Sequence, residues 1–384
     1  MAMKEVLDQI VVRNTTRARK NINSWRTALQ TAERIDQPKR VTLYNLYDEL
    51  ILDTHLSAEM QKRILATKGC DFSLYDPESG DSDTEKSLLF KKPWFSRFLQ
   101  LSLESLFWGH SLIQLGELGE NGEIEQVSIV PRKHVIPEFG YFIKEESDVR
   151  GITYRGERQY EPRLVEIGTN KDLGLFNKTA PLILYKRFTT AAWSDYTEIF
   201  GMPLRVGKTE TKNRQARNDM ESMMIKMGSG GYAVIDKEDE VQFVENAKSN
   251  GDIYQSLISF CNGEVSKLIN GAIIGEDSVN GSRSKEEVGE RTAAMIVRAD
   301  KQMIEGYINA QLIPKLIDMG YAIQGLQFRF ENKQDMDKLW ATTQGLLPHF
   351  DVPEEYISQT FGIPVTKKEN VGAQNLSGDS DFFA

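Results

Sequence analysis

The segment that most resembles a catalytic motif is Val206-Gly-Lys-Thr209, which follows Gly201. A phosphate-binding loop has four residues between its two glycines and then Lys and Ser or Thr, so that successive backbone amides surround one phosphate. Here five residues separate Gly201 from Gly207, and one of them, Pro203, has no amide hydrogen to donate. The residues before Gly201 are predicted to be helical. The segment therefore does not predict a nucleotide site.

Other reactive residue types do not form catalytic patterns either. Gly228-Ser-Gly-Gly231 ends a predicted helix and precedes a predicted strand, which is the reverse of a phosphate-binding glycine loop. Glu286-Glu287 and Asp335–Asp337 lie in charged segments that are typical of solvated helix faces. The four histidines have no metal-ligand spacing; they are His55, His110, His134 and His349. The sequence thus indicates a protein that is not an enzyme and has no cofactor or metal.

Composition narrows the possible functions. The 384 residues carry a net charge of -9 at a sequence pI of about 5.3. An acidic balance argues against tight phosphate binding by the whole surface, but it allows a protein past which DNA slides. No stretch is apolar enough to cross a bilayer, and the N-terminus does not resemble a secretory signal. Cys70 and Cys261 lie far apart and outside any Cys-x-x-Cys, which indicates a reducing, cytoplasmic origin.

The N-terminal region is predicted to be helical. Val11–Arg34 is an arm with scattered basic residues, and Thr42–Thr67 is a second helix whose apolar residues recur at helical spacing. Asp71–Glu85 is polar and contains a proline and a glycine, so it is predicted to be a loop. Pro93–Trp108 is apolar nearly all round, which is typical of a buried helix.

The middle of the chain changes to the two-residue period of β-strands. Ser111–Leu118 alternates, Gly119–Gly122 is a turn and Glu125–Val130 follows, which predicts a β-hairpin. Further short strands are predicted at Gly140–Ile143, Gly151–Tyr154, Leu164–Ile167 and Leu182–Phe188. This third of the chain is therefore expected to be rich in β-structure.

From Thr189 onward the chain is again mainly helical. The predicted elements are helices at Ala191–Phe200 and Thr209–Met227, strands at Tyr232–Ile235 and Val241–Val244, helices at Asp252–Ala272 and Ser284–Met319, a strand at Gly325–Phe330, and helices at Lys333–Leu347 and Pro353–Phe361. A polar tail follows the last helix.

The helices Asp252–Ala272 and Ser284–Met319 enclose a loop rich in Gly, Ser and Asn. Ser284-Lys-Glu-Glu287 has the capping-box pattern that begins a helix. The periodic apolar residues are Ile253, Leu257, Cys261, Val265, Leu268 and Ala272 in the first helix, and Val288, Met295, Ala299, Met303, Ile304, Ile308, Leu312 and Leu316 in the second. By itself this pattern is that of an ordinary helical hairpin in a globular core.

Four segments, in order, resemble the portal protein family of tailed phages, in particular the branch typified by the phage Mu portal. They are Asp53–Arg63, Ile199–Lys208, Glu264–Gly271 and Ser282–Leu316. Each segment is short, and their shared order makes the resemblance specific. The chain departs from the family after the last segment, where only about 65 residues follow. A C-terminal crown is therefore expected to be small or absent.

The resemblance implies an α+β portal fold made of successive parts. Residues 1–188 would form an N-terminal arm and a β-rich wing, 189–200 the first stem helix, 201–248 a small α/β clip, 249–273 the second stem helix, 274–283 a tunnel loop, 284–320 the long wing helix, and 321–384 a short crown-like region and tail.

The resemblance also implies a function. Portals are rings, usually of twelve subunits, at one capsid vertex, through which double-stranded DNA passes without sequence specificity during packaging and ejection. The implied partners are further copies of the chain, the large terminase subunit, a major capsid or scaffolding protein and a head–tail connector, with no membrane. The implied location is the portal vertex of the virion, after assembly in the host cytoplasm.

The resemblance assigns two groups of site residues. The tunnel-loop residues expected to face DNA are Asp277, Ser278, Asn280, Ser282, Arg283 and Lys285, and the clip residues expected to contact the terminase or connector are Lys208, Lys212, Arg214 and Arg217. Many strong phosphate contacts would stall moving DNA, because each one adds affinity through counterion release. An acidic ring with a few cations beside the loop, such as Arg283 and Lys285, is therefore expected to contact phosphates transiently.

Two other functions remain open at the level of the sequence. Another head–tail connector or minor capsid protein is distinguished from a portal by the ring, which electron microscopy detects. A metal-dependent DNA-processing enzyme would need carboxylates that converge from separate strands. Such an enzyme would cleave a plasmid in the presence of Mg²⁺ or Mn²⁺.

Overall fold

Helices and short strands alternate along the chain, in a computed structural model that describes residues 21–148, 150–200, 205–226, 232–238, 251–273, 283–331 and 336–366. The chain forms two compact units, of which the first ends at Phe330 and the second begins at Glu331. The α+β class expected from the sequence is confirmed.

The first unit contains most of the secondary structure. Its helices are α1 (Ile22–Ala32), α2 (Val41–Leu50), α3 (Thr54–Lys68), α4 (Thr84–Ser87), α5 (Pro93–Trp108), α6 (Gly174–Phe200), α7 (Arg214–Lys226), α8 (Asp252–Asn270), α9 (Arg283–Tyr307) and α10 (Ile313–Asp318). Its strands are β1 (Phe72–Tyr75), β2 (Ser82–Asp83), β3 (His110–Leu115), β4 (Val127–Ile129), β5 (Val135–Ile136), β6 (Tyr141–Phe142), β7 (Ile152–Thr153), β8 (Leu164–Gly168), β9 (Arg205–Thr209), β10 (Tyr232–Asp236) and β11 (Gln327–Phe330).

The second unit contains α11 (Met336–Leu346) and α12 (Glu354–Phe361). The rings of Trp340 and Phe361 pack edge to face with centroids 5.1 Å apart. These helices confirm the predictions for Lys333–Leu347 and Pro353–Phe361.

Helix α5 lies at the centre of the core. Pro93 occupies the first turn of α5, where backbone amides have no acceptor within the helix, so its missing amide hydrogen costs no hydrogen bond. Gly109 ends the helix in the left-handed conformation, at φ 83°. Most of its apolar side chains are buried, as its all-round apolar sequence predicts. Phe95 packs against Phe72 and Phe328, at centroid distances of 5.1 and 5.4 Å. The helix therefore joins elements from distant parts of the chain.

Among the described residues, three antiparallel sheets have the strand orders β4–β3–β8, β5–β6–β7 and β11–β1–β2, and β9 and β10 form a parallel pair. The β3–β4 pairing confirms the predicted hairpin. The predicted strands at Gly140–Ile143, Gly151–Tyr154 and Leu164–Ile167 correspond to β6, β7 and β8.

The long C-terminal helix of the first unit packs against two edge strands. A π-helical turn over Ile308–Leu312 joins α9 to α10 without a break. Asn309 accepts a hydrogen bond from Phe328 N at 2.7 Å and donates one to Phe328 O at 2.9 Å. Gln311 bonds in the same way to Glu166. Residues two apart on a helix do not share a face, so one helix binds both β11 and β8.

Two predictions in the N-terminal region are wrong in part. Thr42–Thr67 is not one helix, because Asp53 accepts a hydrogen bond from Leu56 N and so begins a new helix, α3. Asp71–Glu85 is not only a loop. It contains β1 and β2, because Phe72 and Leu74 pair with Phe330 and Phe328 from the far end of the unit.

The predicted strand at Leu182–Phe188 is wrong, since these residues lie within α6. A short apolar run fits either period, and here packing of α6 against α2, α5 and α8 selects the helix. The predicted helix at Ala191–Phe200 is the end of α6. The boundary expected between residues 188 and 189 therefore falls inside a continuous helix.

The helix predicted from Thr209 begins later, at Arg214, because Thr209 ends β9 and Asn213 accepts hydrogen bonds from Gln215 N and Ala216 N. Strand β10 confirms the prediction for Tyr232–Ile235, whereas Val241–Val244 lies outside the described residues.

Two further predicted helices are confirmed within a few residues at both ends, and a third is confirmed over its C-terminal part. Helix α1 lies within the predicted Val11–Arg34, of which residues 11–20 lie outside the described chain. Helix α8 confirms Asp252–Ala272, and α9 with its continuation into α10 confirms Ser284–Met319.

Candidate functional site

The glycine of Val206–Thr209 has a packing role. The segment lies in strand β9, and a Cβ on Gly207 would lie 2.6 Å from Met224 Cε and 2.9 Å from Met220 Cγ of α7. A side chain at position 207 would force these two methionine side chains to move, so glycine lets them pack directly on the strand. The close approach of α7 accounts for the glycine without a phosphate ligand.

Strands β9 and β10 and helix α7 form a small α/β unit. The strands are parallel, with Arg205–Thr209 beside Tyr232–Asp236. Asp236 accepts hydrogen bonds from Thr211 N at 3.0 Å and from the Thr211 hydroxyl. These bonds lower the pKa of Asp236 below its ordinary value. The turn that precedes α7 is thereby attached to the end of β10.

The four basic residues that the family resemblance assigns to partner contact, Lys208, Lys212, Arg214 and Arg217, are exposed on this α/β unit. Lys212 precedes α7, and Arg214 and Arg217 lie in its first turns. Cations at a helix N-terminus oppose the helix macrodipole, at a cost of ~0.3–1 kcal/mol each. Their position therefore does not stabilise α7.

Residues 190–198 of α6 and 252–260 of α8 form a two-helix segment, called the stalk here. Trp193 and Tyr254 stack with ring centroids 6.4 Å apart, and Tyr196 lies 5.8 Å from Tyr254. Gly251, at φ 78°, precedes α8, and a Cβ on it would lie 3.1 Å from Trp193 Nε1. Most other stalk side chains are exposed. Two helices with one shared face bury too little apolar surface to be stable alone.

The apolar stripe of α8 passes from an exposed half of the helix into a buried half. Cys261, Val265 and Ile269 are buried in the first unit. Ile253, Leu257 and Phe260, at spacing i, i+4 and i+7, are 69%, 41% and 58% exposed. This exposed set is named the α8 stripe.

Helix α9 shows the same division. Its residues Val288 and Met295 are 61% and 72% exposed, whereas Ile304 is buried, as is Ile308 in the π turn. On α6, Tyr185 and Phe188 are exposed one turn apart, and they are named the α6 patch. These exposed apolar residues of α6, α8 and α9 therefore lie on helices whose other halves are part of the core.

Residues from three of the four segments that carry the family resemblance meet around α3, together with Lys186 of α6. Asp53 forms a salt bridge with Lys186 of α6 at 2.8 Å, and Arg63 forms one with Asp300 of α9 at 2.7 Å. Asn270, at the end of α8, donates a hydrogen bond to Glu59. These contacts could not be predicted from the sequence, because they join α3 to side chains of three other helices, α6, α8 and α9.

The predicted DNA-facing residues lie largely outside the described chain. Asp277, Ser278, Asn280 and Ser282 belong to residues 274–282, which are not described. For Arg283 and Lys285, only the backbone is described, in the first turn of α9. Their contact with DNA therefore stays a prediction.

The carboxyl group with the largest pKa shift among the described residues is that of Glu166, a half-buried residue of the first unit. Burial alone would raise the pKa of Glu166, but hydrogen bonds from Arg155, His110 and Tyr154 outweigh it and lower the pKa to about 2. Burial lowers the pKa of His110. Each carboxylate oxygen of Glu166 has a protein partner, so the group is held in a structural network rather than free to accept a proton from a substrate.

Neither a metal-binding cluster nor a membrane-spanning helix occurs among the described residues. Within residues 21–366, apart from the gaps given above, no three His, Cys, Asp or Glu side chains are close enough to share a metal ion. In the same residues, no helix has both the length and the apolar character needed to span a membrane.

Solved structures of virus-like particles resemble this fold. A chain of the virion of a native gene transfer agent particle matches with a TM-score of 0.53 and 12% identity, over 90% of this chain and all (100%) of that one. A chain from the neck of a native gene transfer agent particle, computed with C12 symmetry, matches with a TM-score of 0.50 and 12% identity over the same shares. At this identity the likeness is one of fold.

Sequence comparison gives the family. The portal protein of Escherichia phage Mu is 24% identical over 362 residues, which cover 88% of this chain and 69% of the relative. The family described as "Portal protein of Mu bacteriophage" matches residues 44–363. This match covers most of the chain, including α3, α6, α8 and α9. The protein therefore belongs to the Mu bacteriophage portal protein family.

Proposed function

We propose that this protein forms a closed ring at one vertex of a phage capsid and that double-stranded DNA passes through the ring during packaging and ejection. The family is a structural component of phages and not an enzyme. The observation that carries the proposal is the α8 stripe, because three large apolar side chains at helical spacing are exposed on a helix that is buried farther along.

The occupant of the α8 stripe is a second copy of this chain. A closed ring needs a heterologous contact, in which one surface of each subunit binds a different surface of the next. The α8 stripe and the α6 patch are two such surfaces, on the two helices of the stalk. We place Ile253, Leu257 and Phe260 of one subunit against Tyr185 and Phe188 of the next. The C12 symmetry used for the structurally similar neck supports a ring of twelve.

The parts of the subunit follow the order expected from the sequence. We assign residues 1–188 to the arm and wing, 189–200 and 249–273 to the stem helices, 201–248 to the clip, 274–283 to the tunnel loop, 284–320 to the long wing helix and 321–384 to a crown-like region and tail. The continuous helix α6 means that the wing and the first stem helix share one element.

The clip contacts the packaging motor and later the connector. Its exposed cations, Lys208, Lys212, Arg214 and Arg217, fit an acidic surface on the large terminase subunit or on the head–tail connector. The tunnel loop faces DNA, with Asp277, Ser278, Asn280, Ser282, Arg283 and Lys285 nearest to it. The net charge of -9 per subunit, repeated around a ring, repels DNA and keeps it from binding tightly.

Assembly in the host cytoplasm and a final position at the portal vertex follow from this function. A major capsid or scaffolding protein is the partner that builds the ring into the shell.

The ring is tested with variants that place a charge on each surface. Electron microscopy of the purified protein is expected to show rings with a central channel. Leu257→Glu with Phe260→Glu removes the α8 stripe, and Tyr185→Glu with Phe188→Glu removes the α6 patch. Each double variant is expected to be a monomer in light scattering, because burying an unpaired carboxylate is costly.

A mixture of the two double variants separates a heterologous contact from any other. The first double variant keeps an intact α6 patch, and the second keeps an intact α8 stripe. One subunit of each kind can therefore bind the other, and the mixture is expected to form a dimer that cannot add further subunits. Ile35→Glu, at a side chain that is 91% exposed outside the stalk, is the control and is expected to leave rings intact. A wild-type protein that stays monomeric, or a mixture that stays monomeric, contradicts the proposal.

A further inference from the structure

Helix α3 contacts the end of α8 through polar side chains on successive turns. His55 Nε2 lies 3.0 Å from Asn262 O and 2.9 Å from Ser266 Oγ. One turn later, Asn270 Nδ2 donates to Glu59, both to its side chain and to its carbonyl oxygen at 3.2 Å. The end of α8 is therefore bound to α3 at more than one turn.

Arg63, one further turn along α3, joins three helices. Its Nε and Nη2 donate to the two carboxylate oxygens of Asp300, each at 2.7 Å. Its Nη1 donates to Ile269 O at 2.8 Å, a carbonyl in the last turn of α8 that has no partner within the helix. The side chains of Arg63 and Asp300 are 12% and 3% exposed. A planar guanidinium bound at both edges holds α8 and α9 in one relative orientation.

Gly271 shows how closely α8 and α9 approach at this point. It ends α8 at φ 77°, and a Cβ on it would lie 2.6 Å from Thr292 Cγ2 and 2.9 Å from Ile296 Cδ1 of α9. The contact between Gly271 and Thr292 and the salt bridge between Arg63 and Asp300 are two turns apart on α9. The crossing of α8 and α9 thus has both a steric and an ionic restraint.

The other face of α3 supplies the rigid base for this crossing. Leu56, Met60 and Ile64, at spacing i, i+4 and i+8, are buried in the main core. Helix α8 therefore has one end bound to the core through α3, while its first half belongs to the exposed stalk. A displacement of the stalk that travels along α8 reaches this crossing before it reaches α9.

We propose that Arg63 is a positioning residue, which makes the stalk helix α8 and the long helix α9 move as one body. This inference rests on the proposed function, because its consequence is mechanical: movement of the stem during DNA passage is transmitted to the wing through the Arg63–Asp300 pair. Arg63 acts through Asp300 and Ile269 and need not touch DNA itself.

The substitution Arg63→Lys separates charge from geometry. Lysine keeps a positive charge beside Asp300, but a single ammonium on a flexible stem cannot bind both carboxylate oxygens and Ile269 O in a fixed plane. The matched control is Arg291→Lys. It alters an exposed salt bridge between Arg291 and Glu287, both of which lie on α9.

The orientation of α8 and α9 is measured between spin labels at two exposed positions, Gln255→Cys and Glu290→Cys. Cys70→Ser removes the accessible native thiol, and Cys261 is buried. Labelled chain is diluted with unlabelled chain, so that each distance belongs to one subunit. Ring assembly is followed by light scattering, and retained DNA is measured in particles that carry each variant.

We expect Arg63→Lys to form rings, to lose the single narrow distance distribution of the wild type, and to retain less DNA per particle. Arg291→Lys is expected to match the wild type in all three measurements. A distance distribution that is unchanged in Arg63→Lys overturns the proposal, as does unchanged DNA retention with a broadened distribution. The label distance is also measurable in a monomer, so failure of the chain to form rings contradicts the proposed function and leaves the test of Arg63 intact.

Discussion

The side chain of Gln311 forms two hydrogen bonds with the backbone of Glu166, in the places where a neighbouring β-strand would bond. Its side-chain oxygen accepts from Glu166 N at 3.0 Å, and its side-chain nitrogen donates to Glu166 O at 2.8 Å. Glu166 lies in β8, at the edge of its sheet. A single amide in the π turn thus satisfies a donor and an acceptor that would otherwise lack partners.

Gln311→Met is expected to destabilise the protein by about 2–3 kcal/mol, because it leaves the N–H and C=O of Glu166 unpaired at a half-buried site. The free energy of unfolding is measured by urea denaturation. Gln324→Met, at an exposed turn position, is the control and is expected to change it by less than about 0.5 kcal/mol. Equal effects from the two substitutions would contradict the role given to Gln311.

Stability is expected to fall in acid because of Glu166. Its folded pKa of about 2 lies below the ordinary value of 4.5. A carboxyl group with a lowered folded pKa stabilises the fold above pH 4.5, and this contribution is lost as the pH falls toward 2. The loss is on the order of 3 kcal/mol. Urea denaturation of the wild type and of Glu166→Gln between pH 6 and 3 follows this loss of stability. The free energy of unfolding of the variant should depend less steeply on pH.

His110 also lowers stability in acid, and its effect begins at a higher pH than that of Glu166. Burial lowers its folded pKa below 6.5, so the unfolded chain binds a proton more readily, and stability falls as the pH drops below 6.5. An acid-induced gain in stability over this range would contradict the assignment of His110 as a buried neutral side chain.

Gly271→Ala is expected to lower the free energy of unfolding by about 1–3 kcal/mol more than Gly325→Ala does. Both glycines have positive φ, at 77° and 79°, but only Gly271 has side chains where a Cβ would lie. The difference between the two variants therefore measures the close contact with α9, and the Gly325 variant measures the backbone strain. Urea denaturation of both proteins gives the two free energies.

A triple variant is expected to remove three of the cations proposed for partner contact without loss of stability. It carries Lys212→Ala, Arg214→Ala and Arg217→Ala, and its free energy of unfolding is expected to stay within about 0.5 kcal/mol of the wild type. Association with the purified large terminase subunit should become slower and less dependent on salt, because exposed charges act mainly on the association rate. Lys226→Ala, at the other end of α7, is the control. An unchanged rate in the triple variant would contradict the proposed contact.

Local patterns predicted the long elements well. Helices α5, α8 and α9 have sustained periods and clear ends, and the β3–β4 hairpin has a glycine turn. The pattern could not predict β1, because Phe72 and Leu74 become a strand only by pairing with β11 from the end of the unit. Leu182–Phe188 was assigned the wrong period, since a short apolar run does not distinguish a strand from a buried helix.

The candidate site was predictable only in part. The sequence analysis grouped Ile253 and Leu257 with Cys261 and Val265 as one apolar face, and the structure shows that the first two are exposed. Periodicity locates such a face but does not say whether the same chain or another copy covers it. The contacts of Arg63 were also beyond prediction, because they depend on how three helices cross.

The amides of Asn309 and Gln311 have a further consequence for a protein that assembles from identical copies. Neighbours in an oligomer face one another at an effective concentration in the millimolar range, and an unpaired edge strand at that concentration can pair with the same edge of another copy. Asn309 occupies the outward N–H and C=O of Phe328 in β11, and Gln311 occupies those of Glu166 in β8. Two edges that invite aggregation are thereby closed within each subunit, before it meets another.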